Sequence, residues 1–337
     1  MAAGYPTTGS NGQSRSARNS GEPQRLFVVA KDLFPKVPTQ VEHTEASRRR
    51  SKARPNYWSG IDWRERIKTD APSCASTAFR VENQGTDDAC AGFAVWHALR
   101  ANVAIHRKQV VNVNPYVIWG LAREADPRWQ YGRADLLHSA LQAVNNFGIP
   151  ELPGFTYADA AAGGVTASIE SRALDFQGQD QRKEASIRKI QGIVDMPTYL
   201  GEVSSWLHAF GPVAVHMMVE RASFDNLQGQ NATVNFNDCG AYEGELSTRL
   251  VGHDVVVVGY VPDNEDGDPR ADSFIIMNSY GDGWGDKGFA YVKVDTARLC
   301  FRSCFGLLLR EHLGYEWGGR PGKQIGSLLA EGSQSAR

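Results

Sequence analysis

Cys90 stands inside the run Asn-Gln-Gly-Thr-Asp-Asp-Ala-Cys-Ala-Gly-Phe-Ala (83–94), with Gln84 six residues before it. Far downstream lie Gly-His-Asp-Val-Val-Val-Val-Gly-Tyr (252–260) and Met-Asn-Ser-Tyr-Gly-Asp-Gly-Trp-Gly (277–285). These segments supply a thiol, an imidazole, a side-chain amide to steer the imidazole and a second amide for an oxyanion. Together they are the parts of a thiol hydrolase. Taken alone, a cysteine is more often a small buried hydrophobe, and a lone histidine is more often structural. The seven other histidines (His43, His97, His106, His138, His208, His216, His312) have no comparable context. Gln84 shifts the balance for Cys90, because an amide six residues back, beside a glycine, can curl round to the Cys90 N–H. Asn278 can accept from one ring nitrogen of His253 and leave the other facing Cys90. Tyr280 and Trp284 can shield that contact from water, where a hydrogen bond is worth more.

A thiolate needs help to form, and a helix N-terminus gives it. The spacing of Phe93, Trp96, Leu99 and Val103 predicts a helix opening at Cys90 with one buried stripe. Asn114-Pro115 opens a second helix running to about Arg123, with proline at a favourable first position. A third is expected from about Ala134 to Asn145, stopping at Phe147-Gly148. From Pro212 the pattern turns to strands: 212–219, Asp254 to Tyr260, Ser273 to Met277 and Phe289 to Val294. Helices first and strands later predict an α+β chain of two lobes, with the chemistry where they meet.

The composition allows this. With 337 residues and 42% hydrophobic content the chain can bury a substantial core. A net charge of −2 gives no general attraction to nucleic acid or to an anionic membrane, so neither is an expected partner. The basic run Arg48-Arg49-Arg50-Ser51-Lys52-Ala53-Arg54 reads as a solvated linker or protease-sensitive site rather than a polyanion patch. The N-terminus lacks the apolar core of a secretory signal, and no run approaches the ~20 apolar residues of a membrane span. The chain is therefore expected to be cytoplasmic when made, with any export left to a dedicated secretion system. Five cysteines are too few for a disulfide scaffold. Residues 1–57 read as a largely disordered extension around an apolar island, Leu26–Val29 with Leu33-Phe34. The compact domain is expected over 58–312, with 313–337 a flexible tail and 160–195 a surface excursion.

The set resembles the papain-like cysteine proteases, which share the order of a cysteine motif and downstream His and Asn. The resemblance runs over about residues 58–310. It includes Ile61-Asp62-Trp63-Arg64, Ser139-Ala140-Leu141-Gln142 through Phe147-Gly148-Ile149, Gly211-Pro212-Val213-Ala214-Val215 and Gly288-Phe289-Ala290-Tyr291-Val292. It implies a helical left lobe, a β-barrel-like right lobe and a cleft between them. It also implies Cys90 as nucleophile, His253 as acid/base, Asn278 as its orienter and Gln84 as oxyanion donor. His253 lies somewhat further from Cys90 than the ~130–150 residues usual in the family; extra loop within 160–195 and 226–250 would account for that.

The departures matter as much. The family usually has a structural cysteine and a glycine where this chain has Asp87 and Asp88. The partner of that cysteine is also missing. Two acids this near Cys90 would oppose a thiolate if they pointed inward. Cys239 and Cys304 resemble a second family bridge. Cys300 could compete for it, but with no second pair nearby a zinc site is not expected, and no cofactor is. In the family the residue after the catalytic His, here Asp254, and a strand residue, here His216, line the main specificity pocket. With Gly252 and Trp284 they form the expected substrate-binding set, tolerant of a basic or polar side chain. The extension is too short for the family's helical propeptide, but its island could lie across the groove as an inhibitor. The absent signal and bridge fit a bacterial member, intracellular or exported as an effector.

The expected function is cysteine endopeptidase on protein or peptide substrates, through a thioester acyl-enzyme. Papain-fold proteins can also run other acyl chemistry, such as deamidation or peptide transfer. A non-catalytic binding module is disfavoured, because Gln84, Cys90, His253 and Asn278 are all present.

Overall fold

Cys90, Gln84, His253 and Asn278 are positioned by three packed helices and one mixed sheet. The computed structural model describes residues 27–29, 60–126, 136–146, 148–150, 187–188, 190, 192–196, 200–234, 250–263, 268–309 and 312. Phe27–Val29 (β1) is followed by Ile61–Asp62 (β2), which runs into helix α1 (Trp63–Asp70). Asp62 caps α1 by accepting from the Arg64 N–H at 2.9 Å. Trp63 donates its indole N–H to the Leu207 carbonyl at 2.8 Å inside the core. The Ile-Asp-Trp-Arg run is thus the anchor of the domain's start.

After a short helix α2 (Ala75–Ala78) comes α3 (Cys90–Arg107), then α4 (Pro115–Ala125) and α5 (Leu136–Asn146). The expected starts hold to within two residues, and Asn114 caps α4 by accepting from the Tyr116 N–H at 3.0 Å. One expectation fails. Instead of one buried stripe, α3 is enclosed on all sides from Ala91 to Ile105, because it packs against both α4 and the sheet. Gly92 makes the first of these contacts: a Cβ there would stand 2.2 Å from the Pro115 carbonyl oxygen. The charge of buried Arg100 is met by Glu82 at 3.3 Å and by the Arg80 carbonyl, which ties α3 to the segment leading into Gln84.

The remaining elements are β3 (Ile149–Pro150) paired with β4 (Ile187–Arg188), β5 (Gly192–Met196), α6 (Leu200–Ala209), β6 (Val213–Glu220) and α7 (Arg221–Asp225). Then come β7 (Thr233–Val234), β8 (Leu250–Val261), β9 (Ser273–Met277), β10 (Phe289–Lys293), α8 (Val294–Cys300) and β11 (Phe301–Leu308). The sheet runs β1-β5-β11-β6-β8-β9-β10-β7, with β2 also paired to β8. Among the described residues this is an open path with β1 and β7 at its ends, and with the helices it makes the α+β fold expected. β5 also corrects the sequence reading, since Gly192–Met196 is buried sheet rather than surface excursion. The N-terminal island is described only at Phe27–Val29. Its described part lies parallel to β5, Phe27 opposite Ile193, with β11 and β6 between it and β8. That is the sheet's edge, not a cover over the strand that carries His253. Expectations for 1–26, 30–59 and 313–337 lie outside the described residues. No described helix is long and apolar enough to cross a membrane.

Glu202, in the first turn of α6, is only 4% exposed, and its Oε2 finds no partner among the described residues. Burial, with Asp195 adding repulsion, pushes its carboxyl up to about 7. The folded protein therefore holds this proton more tightly than the unfolded chain. That contribution is complete below about 4.5 and is lost as pH rises through about 7. Glu202→Gln is expected to be more stable than wild type by about 2 kcal/mol at pH 8, with the gap closing by pH 4. Urea unfolding at the two pH values measures this, and an equal gap at both would show that Glu202 is not protonated in the fold.

Candidate active site

Cys90 is the first residue of α3, whose cap position, Ala89, makes no side-chain cap bond. The first-turn N–H groups are thus open to other acceptors. Cys90 itself is partly exposed, whereas Cys74, Cys300 and Cys304 are buried thiols. Cys304 is therefore not half of a disulfide with Cys239, which lies outside the described residues. Strand β11 holds Cys304 in mid-sheet, opposite Met196 and Val215.

His253 lies within β8, not ahead of it, and Asn278 follows β9 directly. Asn278 Oδ1 accepts from the Ser279 backbone N–H at 2.8 Å and stands 2.7 Å from His253 Nε2. The first donor is fixed, so Oδ1 is an oxygen and Nε2 must carry the hydrogen it donates. The neutral ring is then the tautomer with a bare Nδ1, the nitrogen able to take a proton. Around it, Phe224 meets the His253 ring edge-on at 5.4 Å and Tyr280 lies tilted at 5.0 Å. Tyr280 shields the ring as expected, and its hydroxyl is engaged by Asp225. Trp284 does so only indirectly. It is 4% exposed, donates its N–H to the Phe224 carbonyl at 2.7 Å and backs both Phe224 and Tyr280. It is packing behind the histidine rather than a wall of the substrate groove.

Gln84 is buried between the two halves. Its Oε1 accepts from the Ser279 hydroxyl, and its Nε2 donates to the Asp87 carbonyl at 2.6 Å. Those partners fix the amide's orientation, and one of its two N–H groups is left for an incoming oxygen. Backbone bonds strap the loop in place: Gln84 N–H to the Ser279 carbonyl at 2.8 Å and Gly281 N–H to the Glu82 carbonyl at 3.1 Å. One strap therefore positions both Gln84 and Asn278. Ser279 and Phe224 were not picked out in the sequence. Ser279 is next to Asn278 and could have been found as its amide's second donor; Phe224 carries no local signal.

The remaining pair is Asp254 and His216, directly opposite each other on β8 and β6. His216 Nδ1 is 2.7 Å from Asp254 Oδ1, and the Cys90 thiol is 3.6 Å from Oδ2. The sulfur thus abuts the residue next to His253. Gly252 gives His216 room, since a Cβ there would stand 2.6 Å from the imidazole. Asp254 replaces Asp87 and Asp88 as the acid that matters to Cys90: Asp88 is exposed and Asp87 half-buried, beside a second acid that raises its carboxyl further. Burial first, then the Asp254 carboxylate, pushes the Cys90 thiol well above its ordinary value, against the pull of the Asp254 and Ala91 backbone N–H groups. Burial pulls His253 below its ordinary value despite Asn278, Asp254 and Asp225, with His216 adding to the fall. Both shifts favour an uncharged thiol and imidazole at rest.

Residues 59–304 match the family model described as papain family cysteine protease. Rat procathepsin L is 22% identical over 244 residues, covering 71% of this chain and 61% of that protein. The Arabidopsis thaliana cysteine proteinase RD21A is 30% identical over 118 residues, covering 35% of this chain and 22% of that protein. The chain thus spans between about a fifth and three-fifths of the length of these two relatives. Among solved structures, xylellain, a cysteine protease from Xylella fastidiosa, superposes with a TM-score of 0.54 at 17% identity, over 82% of this chain and 91% of its own. Procathepsin L 3 from the Tenebrio molitor larval midgut gives a TM-score of 0.50 at 19% identity, over 77% and 72%. At these identities the two structures speak for the fold.

Proposed function

Because the chain belongs to the papain family of cysteine proteases, we propose that it is a cysteine endopeptidase in which Cys90, His253, Asn278 and Gln84 carry the chemistry. One observation supports this most: the fixed Ser279 and His253 donors on Asn278 Oδ1, which leave Nδ1 of the imidazole as a base. His253 Nδ1 takes the Cys90 proton, and the sulfur attacks the scissile carbonyl carbon. The resulting oxyanion accepts from the Cys90 backbone N–H and the remaining Gln84 amide N–H. Collapse expels the amine, which takes its proton back from His253, and leaves a thioester on Cys90. His253 then deprotonates a water that attacks the thioester; the C–S bond breaks, the Cys90 thiolate regains its proton from His253, and the acid product leaves. The substrate is a protein or peptide.

An epoxide or vinyl-sulfone thiol probe tests the assignment. Mass mapping should find the label on Cys90 and not on the other three described thiols, which are buried, and Cys90→Ala should lose that label. Labelling at another cysteine, or at no site, would overturn it.

A further inference from the structure

One carboxylate of the site has no part in that chemistry and works against it. Asp254 Oδ1 is engaged by His216 at 2.7 Å, while Oδ2 has the Cys90 thiol at 3.6 Å. A thiol is a weak donor, so Oδ2 is the less satisfied oxygen of a carboxylate that is 4% exposed. Burying such an oxygen is costly unless a strong donor meets it. When Cys90 ionises, two like charges about 4 Å apart would remain. The arrangement becomes favourable when a positive charge joins Oδ2, and His216 already serves Oδ1. Beside it Gly252 is exposed and lies against the His216 ring, which is itself partly exposed.

We propose that Asp254 determines specificity by taking a lysine or arginine side chain of the substrate, which in binding lifts the carboxylate's opposition to the Cys90 thiolate. The inference rests on the reading of Cys90 as nucleophile. The substrate's ammonium or guanidinium replaces the thiol at Oδ2, and the thiol proton passes to His253 Nδ1. Thiolate and imidazolium then face the scissile carbonyl. A neutral side chain binds without that exchange and leaves Cys90 protonated. A basic residue near the cut therefore raises kcat as well as lowering KM. The other ionisable groups around this pair are His253 itself, Tyr280, Asp225 and Arg221.

Three small reagents read the charge at Cys90 without requiring turnover: methyl methanethiosulfonate and its cationic aminoethyl and anionic sulfonatoethyl counterparts. Their rates at Cys90 in the full-length protein are mapped by mass and divided by their rates with free cysteine. The cationic reagent should be favoured over the neutral one by about tenfold and the anionic one disfavoured. Asp254→Asn should remove most of that bias, and His216→Asn should increase it. In peptides, Lys and Arg against norleucine and citrulline, scanned over the residues preceding the cut, should show one position with a similar preference that Asp254→Asn abolishes. Equal bias in wild type and Asp254→Asn, or a cationic peptide preference that survives the substitution, would overturn the proposal. If no reagent modifies Cys90, the nucleophile assignment falls instead. If Cys90 reacts without charge bias, only the role of Asp254 falls.

Discussion

A Cys90→Ala variant is expected to cleave peptides at least about 10⁴-fold more slowly than wild type, and adding His253→Ala should cost almost nothing more. The reason is that the two residues perform one act. The imidazole Nδ1 matters because it moves the thiol proton, and without the sulfur there is no proton to move. Donors for the oxyanion, the Cys90 backbone N–H and the Gln84 amide, remain in both variants, so each should keep a small residual rate. His253→Ala alone should fall nearly as far as Cys90→Ala, because the resting pair is uncharged and a thiol pushed above its ordinary value has little thiolate of its own. Values of kcat/KM for the two single variants and the double decide it. Losses that multiply in the double would mean that the two residues do not share a proton.

The second large effect comes from a residue with no chemistry. Gly92→Ala should lower stability by about 3 kcal/mol and slow cleavage at the same time. The new methyl would lie 2.2 Å from the Pro115 carbonyl oxygen and 2.9 Å from Trp119 Cβ. The first is backbone and cannot rotate away, so α3 and α4 must separate. Cys90 sits two residues earlier on the same helix turn, and displacement of that turn moves the sulfur relative to β8. Urea unfolding and kcat/KM test the two halves of the statement. Normal stability with lost activity would show that the helix start shifts alone. Both unchanged would show that the α3–α4 contact is softer than its geometry implies.

The residues of the site were more legible than what surrounds them. Cys90, His253, Asn278 and Gln84 announce themselves through glycine-flanked motifs, and Asn114-Pro115 marks a helix start by local chemistry alone. Strand β5 was hidden because five residues, Gly192–Met196, follow a long polar stretch and give too short a run to stand out. Strand β11 was missed because Phe301-Arg302-Ser303-Cys304 does not alternate cleanly, and its burial comes from neighbours on both sides. The Asp254–His216 pairing depends on the register of β6 against β8, which no spacing within either strand reveals. The unbridged state of Cys304 has a related origin, since its place in mid-sheet is a property of topology. The acids beside Cys90 in sequence, Asp87 and Asp88, mattered less than the one brought there by folding.

The place of β11 has a consequence for synthesis. Phe301–Leu308 is the last described strand in the chain, yet it lies between β5 and β6. On the ribosome, everything up to α8 can emerge while the middle of the sheet is still unfilled, and Cys90 waits without the surroundings that would make it reactive. A polypeptide interrupted before this strand is left with a gap, so a truncated translation product would carry every reacting group and no assembled enzyme.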